Sequence, residues 1–96
     1  MNIRYKVKGI AFHFTLDNLP NIRNIQELWE PIRERFGTLE EYIQDATARH
    51  SGLIRMANTN WLNIAFGNYF VSIEGIDLVL SANDFNQLFE EAEETI

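Results

Sequence analysis

The sequence predicts an α+β fold, in which a small antiparallel sheet is packed by helices. Three observations predict it: strand-like alternation at the start, helical spacing in the middle, and turn-separated apolar segments followed by a last helical stripe. The expected sheet combines an N-terminal strand with a C-terminal three-stranded meander, packed by two central helices and a C-terminal acidic helix. A chain of 96 residues without a linker-like segment is expected to form a single domain, residues 1–96.

The N-terminal segment alternates apolar and basic residues, as a half-exposed strand does. The basic residues of this alternation are Arg4, Lys6 and Lys8. After Gly9 the apolar phase shifts by one position, and two structures account for the shift: a β-bulge at Gly9, or a tight hairpin turned at Lys8–Gly9. Both stay open at this point. The same three cations are candidates for neutralising the acidic C-terminal half within the chain.

The first central helix is predicted by apolar residues that recur at helical spacing from Ile22 to Phe36. Pro31 lies inside that pattern, and proline lacks the amide hydrogen and clashes with the preceding turn. We therefore expect the helix to be interrupted or kinked near Trp29–Glu30. Gly37 is expected to cap its C-terminal end.

Capping boxes predict the starts of the two remaining helices. Thr38 followed by Glu41 begins the second central helix, which Ser51–Gly52 is expected to end. Ser81 followed by Asp84 begins the C-terminal helix in the same way. The apolar stripe expected on that last helix consists of Phe85, Leu88, Phe89 and Ala92.

Between these helices the sequence predicts strands separated by short turns. The candidate strands are residues 53–57, which have the weakest pattern, and residues 61–66, 69–74 and 76–80. Gly67–Asn68 and Glu74–Gly75 are typical two-residue hairpin connections. In the last strand Asp77 alternates with Ile76, Leu78 and Leu80, which are expected to form its inner face.

The charge of the chain is segregated along its length. The chain carries 8 basic and 14 acidic side chains, a net charge of −6. Residues 1–35 hold six basic and four acidic groups, whereas residues 36–96 hold two basic and ten acidic ones. Because phosphate binding needs clustered cations, direct binding of nucleic acid is not expected. A cationic protein surface is the partner that this charge favours.

Residue spacing predicts no catalytic, cofactor or metal site. The chain has no cysteine, and its two histidines, His13 and His50, are far apart in sequence. The five glycines occur singly, unlike those of a phosphate-binding loop. The N-terminal segment lacks the pattern of a signal peptide, and every apolar run is shorter than the ~18 residues of a membrane span. We therefore expect a cytoplasmic protein that is not an enzyme and has no membrane partner.

The C-terminal glutamates are the main candidates for a binding surface. On a helix that continued through them they would lack a Lys or Arg four residues away, and they would lie where the helix dipole favours cations. Trp61, placed among three asparagines, is a candidate interface anchor because tryptophan is over-represented in binding hot spots. The predicted partner-binding residues are Glu74, Asp77, Asp84, Glu90, Glu91, Glu93, Glu94 and Trp61.

In size and charge the chain resembles small acidic inhibitors, such as phage anti-defence proteins and toxin-immunity proteins. Together with the segregated charge, the resemblance implies a non-enzymatic, acidic protein-binding module. One form of that function is inhibition of a nuclease or another basic protein that handles nucleic acid. Two alternatives stay open: a self-assembling structural or accessory subunit, for example a homodimer joined through strand edges or Trp29 and Trp61, and a small enzyme of unrecognised type.

Overall fold

The described part of the chain has two short strands, three helices, four strands, a helix and a last short strand. The computed structural model describes residues 5–6, 9–57 and 60–90, with the backbone alone at positions 5, 6 and 90. The strands are β1 (Tyr5–Lys6), β2 (Ile10–His13), β3 (Ser51–Arg55), β4 (Trp61–Ala65), β5 (Tyr69–Ile73), β6 (Ile76–Leu80) and β7 (Phe89–Glu90). The helices are a 3-10 helix (Leu19–Asn24), α1 (Gln26–Phe36), α2 (Leu39–Arg49) and α3 (Ala82–Leu88). The predicted α+β class is confirmed, and no helix in these ranges is long and apolar enough to cross a membrane.

The strands form three groups within the described residues. Strands β2, β5 and β6 make an antiparallel sheet in the order β2-β5-β6, β3 and β4 make an antiparallel hairpin, and β1 and β7 pair in parallel. The predicted three-stranded meander is therefore wrong in one respect. Strand β4 pairs with β3, the candidate with the weakest pattern, and the N-terminal strand β2 lies beside β5 instead.

Of the two predicted hairpin connections, one is confirmed and one is wrong. Glu74 and Gly75 join β5 to β6 with φ values of 51° and 82°, the left-handed conformations that a tight two-residue hairpin needs. Gly67 and Asn68 instead bond to Phe14. The Gly67 amide donates to the Phe14 carbonyl and the Phe14 amide donates to the Asn68 carbonyl, each at 2.8 Å. These bonds turn the chain from β4 into a different sheet.

The hairpin considered at Lys8–Gly9 is wrong, because β1 pairs with β7 and β2 pairs with β5. A bulge would involve residues 7 and 8, which lie outside the described residues. Gly9 itself lies against the backbone of β5. A Cβ atom at this position would collide with the carbonyl of Ser72, so only glycine permits this approach.

Helix α1 is continuous through Pro31, so the interruption predicted near Trp29–Glu30 is wrong, while the kink that was its alternative stays a prediction. Its apolar pattern begins earlier, in the 3-10 helix, but α-helical geometry starts at Gln26 and continues through Pro31 to Phe36. Leu28 and Ile32, on either side of the proline, are buried in the core. Their burial offsets the backbone hydrogen bond that Pro31 cannot make. Gly37, with φ of 89°, caps the helix as predicted.

Helix α2 starts as predicted and ends slightly earlier than predicted. The Glu41 amide donates to Oγ1 of Thr38 at 3.1 Å, which confirms the N-terminal cap. His50, with φ of 58°, ends the helix, while Ser51 and Gly52 already belong to β3. Gly52 leaves room for a buried ring, because a Cβ atom there would collide with the side chain of Phe14.

The predicted C-terminal acidic helix is wrong at Phe89–Glu90, which form a strand. Helix α3 begins at its predicted cap, where the Asp84 amide donates to Oγ of Ser81 at 3.1 Å. Phe89 has extended dihedral angles, and Phe89–Glu90 pairs in parallel with Tyr5–Lys6. Pairing with β1 and burial of the Phe89 ring favour the strand over further helix. Residues 91–96, including the predicted Ala92 position, lie outside the described residues.

Both faces of the β2-β5-β6 sheet are packed, because successive side chains of a strand point in opposite directions. Phe12 and Phe70 belong to the larger core, which includes residues of α1, α2 and the β3–β4 hairpin. Tyr69 and Val71 belong to a smaller core with Phe85 of α3. Helices therefore lie on both sides of the sheet.

Candidate functional site

An open groove of about 450 Å³ lies between α1, the end of β3 and the β2-β5-β6 sheet. Its described lining consists of Ile10, Glu27, Leu28, Glu30, Pro31, Glu34, Arg55, Met56, Ala57, Phe70, Ser72 and Asp77. Half of these residues are apolar, and Leu28 and Phe70 belong to the larger core. We call this feature the acidic groove, because four of its lining residues are carboxylates.

One wall of the acidic groove is a stripe of glutamates on α1. Glu27, Glu30 and Glu34 are exposed and follow one another at intervals of three and four residues. This spacing places them on the same side of a helix. Pro31 lies on the same side, so the wall alternates between carboxylates and an apolar ring.

The sheet contributes a polar row opposite that wall. Ile10, Ser72 and Asp77 are direct partners in the strand register, so they form one row across β2, β5 and β6. The amide of Ala57 donates a hydrogen bond to the Asp77 carboxylate, which joins the end of β3 to β6. This bond also fixes the direction of the Asp77 side chain at the edge of the acidic groove.

Arg55 is the one cation in the described lining of the acidic groove. It is half-buried at the end of β3 and makes no ion pair with another described residue. The salt bridge found within the described residues joins Arg49 to Asp45 on α2, at 3.5 Å. The four carboxylates of the acidic groove therefore make no ion pair with a described cation.

The predicted partner-binding residues are distributed over several elements. Asp77 lines the acidic groove, whereas Glu74 is exposed at the β5–β6 turn and Asp84 is exposed in the first turn of α3. Glu90 lies on β7, opposite Lys6 in register. Glu91, Glu93 and Glu94 lie outside the described residues.

Trp61, the predicted anchor, is half-buried at the start of β4 and packs against the larger core. The guanidinium carbon of Arg35 lies 4.9 Å from the centre of its ring, in a cation–π contact. Part of the ring is therefore already covered by the chain itself, so an incoming partner would meet Arg35 together with Trp61.

The glutamates of α1 were not among the predicted binding residues. Their regular spacing was readable from the sequence, but residues 1–35 carry more basic than acidic groups, and this average hides the stripe. The described cations of this segment, Arg23, Arg33 and Arg35, do not line the acidic groove, and Arg35 contacts Trp61 and Phe36. The folded surface thus separates charges that are mixed along the chain.

The hydroxyl of Tyr42 is a buried polar group with a structural role. Tyr42 is fully buried, and its hydroxyl donates to the carbonyl of Leu53 at 2.8 Å. Burial, assisted by the nearby Asp45 carboxylate, raises the pKa of the Tyr42 hydroxyl well above its usual value. The hydroxyl is therefore a neutral hydrogen-bond donor that ties α2 to β3.

No cluster of potential metal ligands occurs within residues 9–57 and 60–89. Comparisons with protein-family models, curated proteins and solved structures give no match to this chain.

Proposed function

We propose that the chain is a non-enzymatic, acidic protein-binding module that docks onto a cationic protein surface. One observation carries the proposal: the carboxylates of Glu27, Glu30, Glu34 and Asp77 converge on the acidic groove, where Arg55 is the one described cation. Glu30 and Glu34 lie four residues apart on α1, a spacing at which like charges repel, and a cationic partner relieves that repulsion.

A basic, nucleic-acid-handling protein, such as a nuclease, is the kind of partner that fits this charge. Such proteins present clustered cations because phosphate binding requires them. An acidic module covering those cations would compete with nucleic acid and act as an inhibitor. Charge complementarity of this kind mainly raises the association rate and makes binding sensitive to salt.

Affinity capture tests the proposal. The full-length protein, immobilised, is exposed to an extract of its source organism at low and at moderate salt, and each captured protein is purified to measure its affinity. One variant carries glutamine at Glu27, Glu30 and Glu34, and another carries glutamine at the four C-terminal glutamates, which are Glu90, Glu91, Glu93 and Glu94. We expect a basic partner whose affinity falls with salt and falls in at least one variant.

The matched control replaces three exposed carboxylates that do not line the acidic groove, Asp17, Glu40 and Glu41, by their amides. This control removes the same charge as the variant with glutamine at Glu27, Glu30 and Glu34, which we call the α1 variant. The control should retain most of the affinity for the captured partner. If the affinity at low salt is the same in wild type and in both test variants, the acidic surface does not mediate binding. Thermal unfolding of every variant shows whether the fold is retained.

Self-assembly is the second candidate, and one feature of β6 favours it. Strand β6 is an edge strand, and its side chains at Ile76 and Leu78 are 63% and 40% exposed. Ile76 and Leu78 were predicted to face inward, together with Leu80. Instead Val79, which lies between Leu78 and Leu80, packs against the larger core. Exposed apolar residues on a strand edge promote pairing with another strand.

Sedimentation across a dilution series separates the two candidates. A dimer that persists on dilution, is independent of salt, and is lost in Ile76→Lys would favour assembly. A monomer at all concentrations would leave the binding module as the better description.

A further inference from the structure

We infer that the acidic groove is the receptor for a basic segment of the partner protein, one that carries arginine or lysine beside an apolar residue. The inference rests on the proposed function and names the surface through which it would operate. Its basis is the combination, in one groove, of an apolar floor with a rim of carboxylates.

The floor suits the apolar parts of such a segment. The larger core holds the apolar residues of the floor in place: Leu28 and Phe70 belong to it, and Ile10 and Met56 pack against it. Arginine and lysine have aliphatic stems that pack on apolar surface while their charged ends stay in water. The groove volume of about 450 Å³ lies within the roughly 300–1,000 Å³ of typical binding clefts.

The rim suits the charged ends. Glu30 and Glu34 are four residues apart on α1, a spacing at which like charges destabilise a helix. A guanidinium or ammonium group placed between the α1 glutamates and Asp77 would remove that repulsion. Arg55 is a half-buried cation that also lines the groove, so it would repel an incoming cation and weaken its binding.

The same charges argue against other ligands. Phosphate groups of nucleic acid or lipids would be repelled by four carboxylates. The described carboxylates do not form a cluster that could hold a metal ion. The polypeptide occupant also agrees with the exposed, open form of the groove, which can accept an extended segment from the side.

Binding of short peptides to the full-length protein tests the inference. The probe is acetyl-Ala-Arg-Leu-Arg-Ala-amide, and the controls replace both arginines by glutamine or by glutamate. We expect the arginine peptide alone to bind at low salt, with the largest changes in amide NMR shifts at Ile10, Ala57 and Ser72. Shift changes confined to other parts of the surface would overturn the inference.

Two variants change the charge of the groove in opposite directions. Glutamine at Glu27, Glu30 and Glu34 should weaken binding of the arginine peptide by about fivefold or more at low salt. Arg55→Gln should strengthen it by about twofold, a gain that damage to the fold would not produce. The control variant at Asp17, Glu40 and Glu41 should change the affinity less than the α1 variant does. Equal effects of the two triple variants would overturn the inference, since they would reflect total charge alone.

Spermidine is the competitor that distinguishes a peptide from a small amine. If spermidine binds the groove as tightly as the arginine peptide, positive charge alone determines binding and the apolar floor contributes nothing. The inference then fails. If affinity capture depends on the C-terminal glutamates and is unchanged by the α1 variant, the proposed function stands and the groove is not its surface.

Discussion

Removing the hydroxyl of Tyr42 tests how the fold joins α2 to β3. The hydroxyl is buried and donates to the Leu53 carbonyl at 2.8 Å, so Tyr42→Phe leaves that carbonyl without this donor. A buried polar group that loses its partner costs about 1–3 kcal/mol. We expect the free energy of unfolding at pH 7 to fall by that amount, measured by urea denaturation.

The difference in free energy of unfolding between wild type and Tyr42→Phe should also depend on pH, which tests the burial of the hydroxyl more directly. Because the pKa of Tyr42 is raised in the folded state, the hydroxyl ionises more readily in the unfolded chain, whose value is about 10. Its stabilising effect is fully present below pH 10 and is lost as the pH rises above it. For one such group the loss reaches about 1.4 kcal/mol at pH 11.

The difference in stability between wild type and Tyr42→Phe should therefore shrink by about that amount between pH 9 and pH 11. Other ionisable groups affect both proteins alike and cancel in the difference. Thr47→Val serves as a control, because it removes an exposed hydroxyl that bonds to the Ile43 carbonyl at 2.7 Å and does not titrate in this range. A constant difference between wild type and Tyr42→Phe would refute the inferred burial of the hydroxyl.

Substitutions at three further positions test local features, each by urea denaturation at pH 7. Gly52→Ala should destabilise the protein by about 1–3 kcal/mol, since the new methyl group meets the buried ring of Phe14; unchanged stability would show that the ring can move. Thr38→Ala should cost about 1 kcal/mol through loss of the α2 cap, whereas Thr38→Ser should retain most of it. Pro31→Ala should stabilise the protein, because alanine restores a backbone donor inside α1; a loss of stability would mean that the proline ring packs better than a continuous helix.

Features governed by neighbouring residues were predictable from the sequence. Thr38 and Ser81 cap their helices because each side chain accepts a bond from an amide three residues later. The Glu74–Gly75 turn depends on Gly75, which adopts a left-handed conformation at little cost. Such interactions form within a few residues, so the amino-acid pattern alone determines them.

Features that depend on distant partners were not predictable in the same way. Strand β4 has an apolar pattern that suits pairing with β3 or with β5, and bonds between Phe14 and the Gly67–Asn68 segment accompany its pairing with β3. Helix α3 ends at Leu88 although its apolar spacing continues to Phe89, because β1 pairs with that segment. The acidic groove has the same origin, since α1 and the sheet approach each other only in the folded chain.

The parallel pairing of β1 with β7 has a consequence for folding. It joins Tyr5 to Phe89, so nearly the whole described chain forms the loop that this contact closes. Closing a long loop costs conformational entropy, and β1 and β7 are paired over two residues each. The contact should therefore form after the local hairpins and open before the central sheet. Its opening would separate Lys6 from Glu90 while both hydrophobic cores stay largely assembled. Amide hydrogen exchange at Glu90 would report it, whereas the Phe89 amide donates to the Phe85 carbonyl at the end of α3.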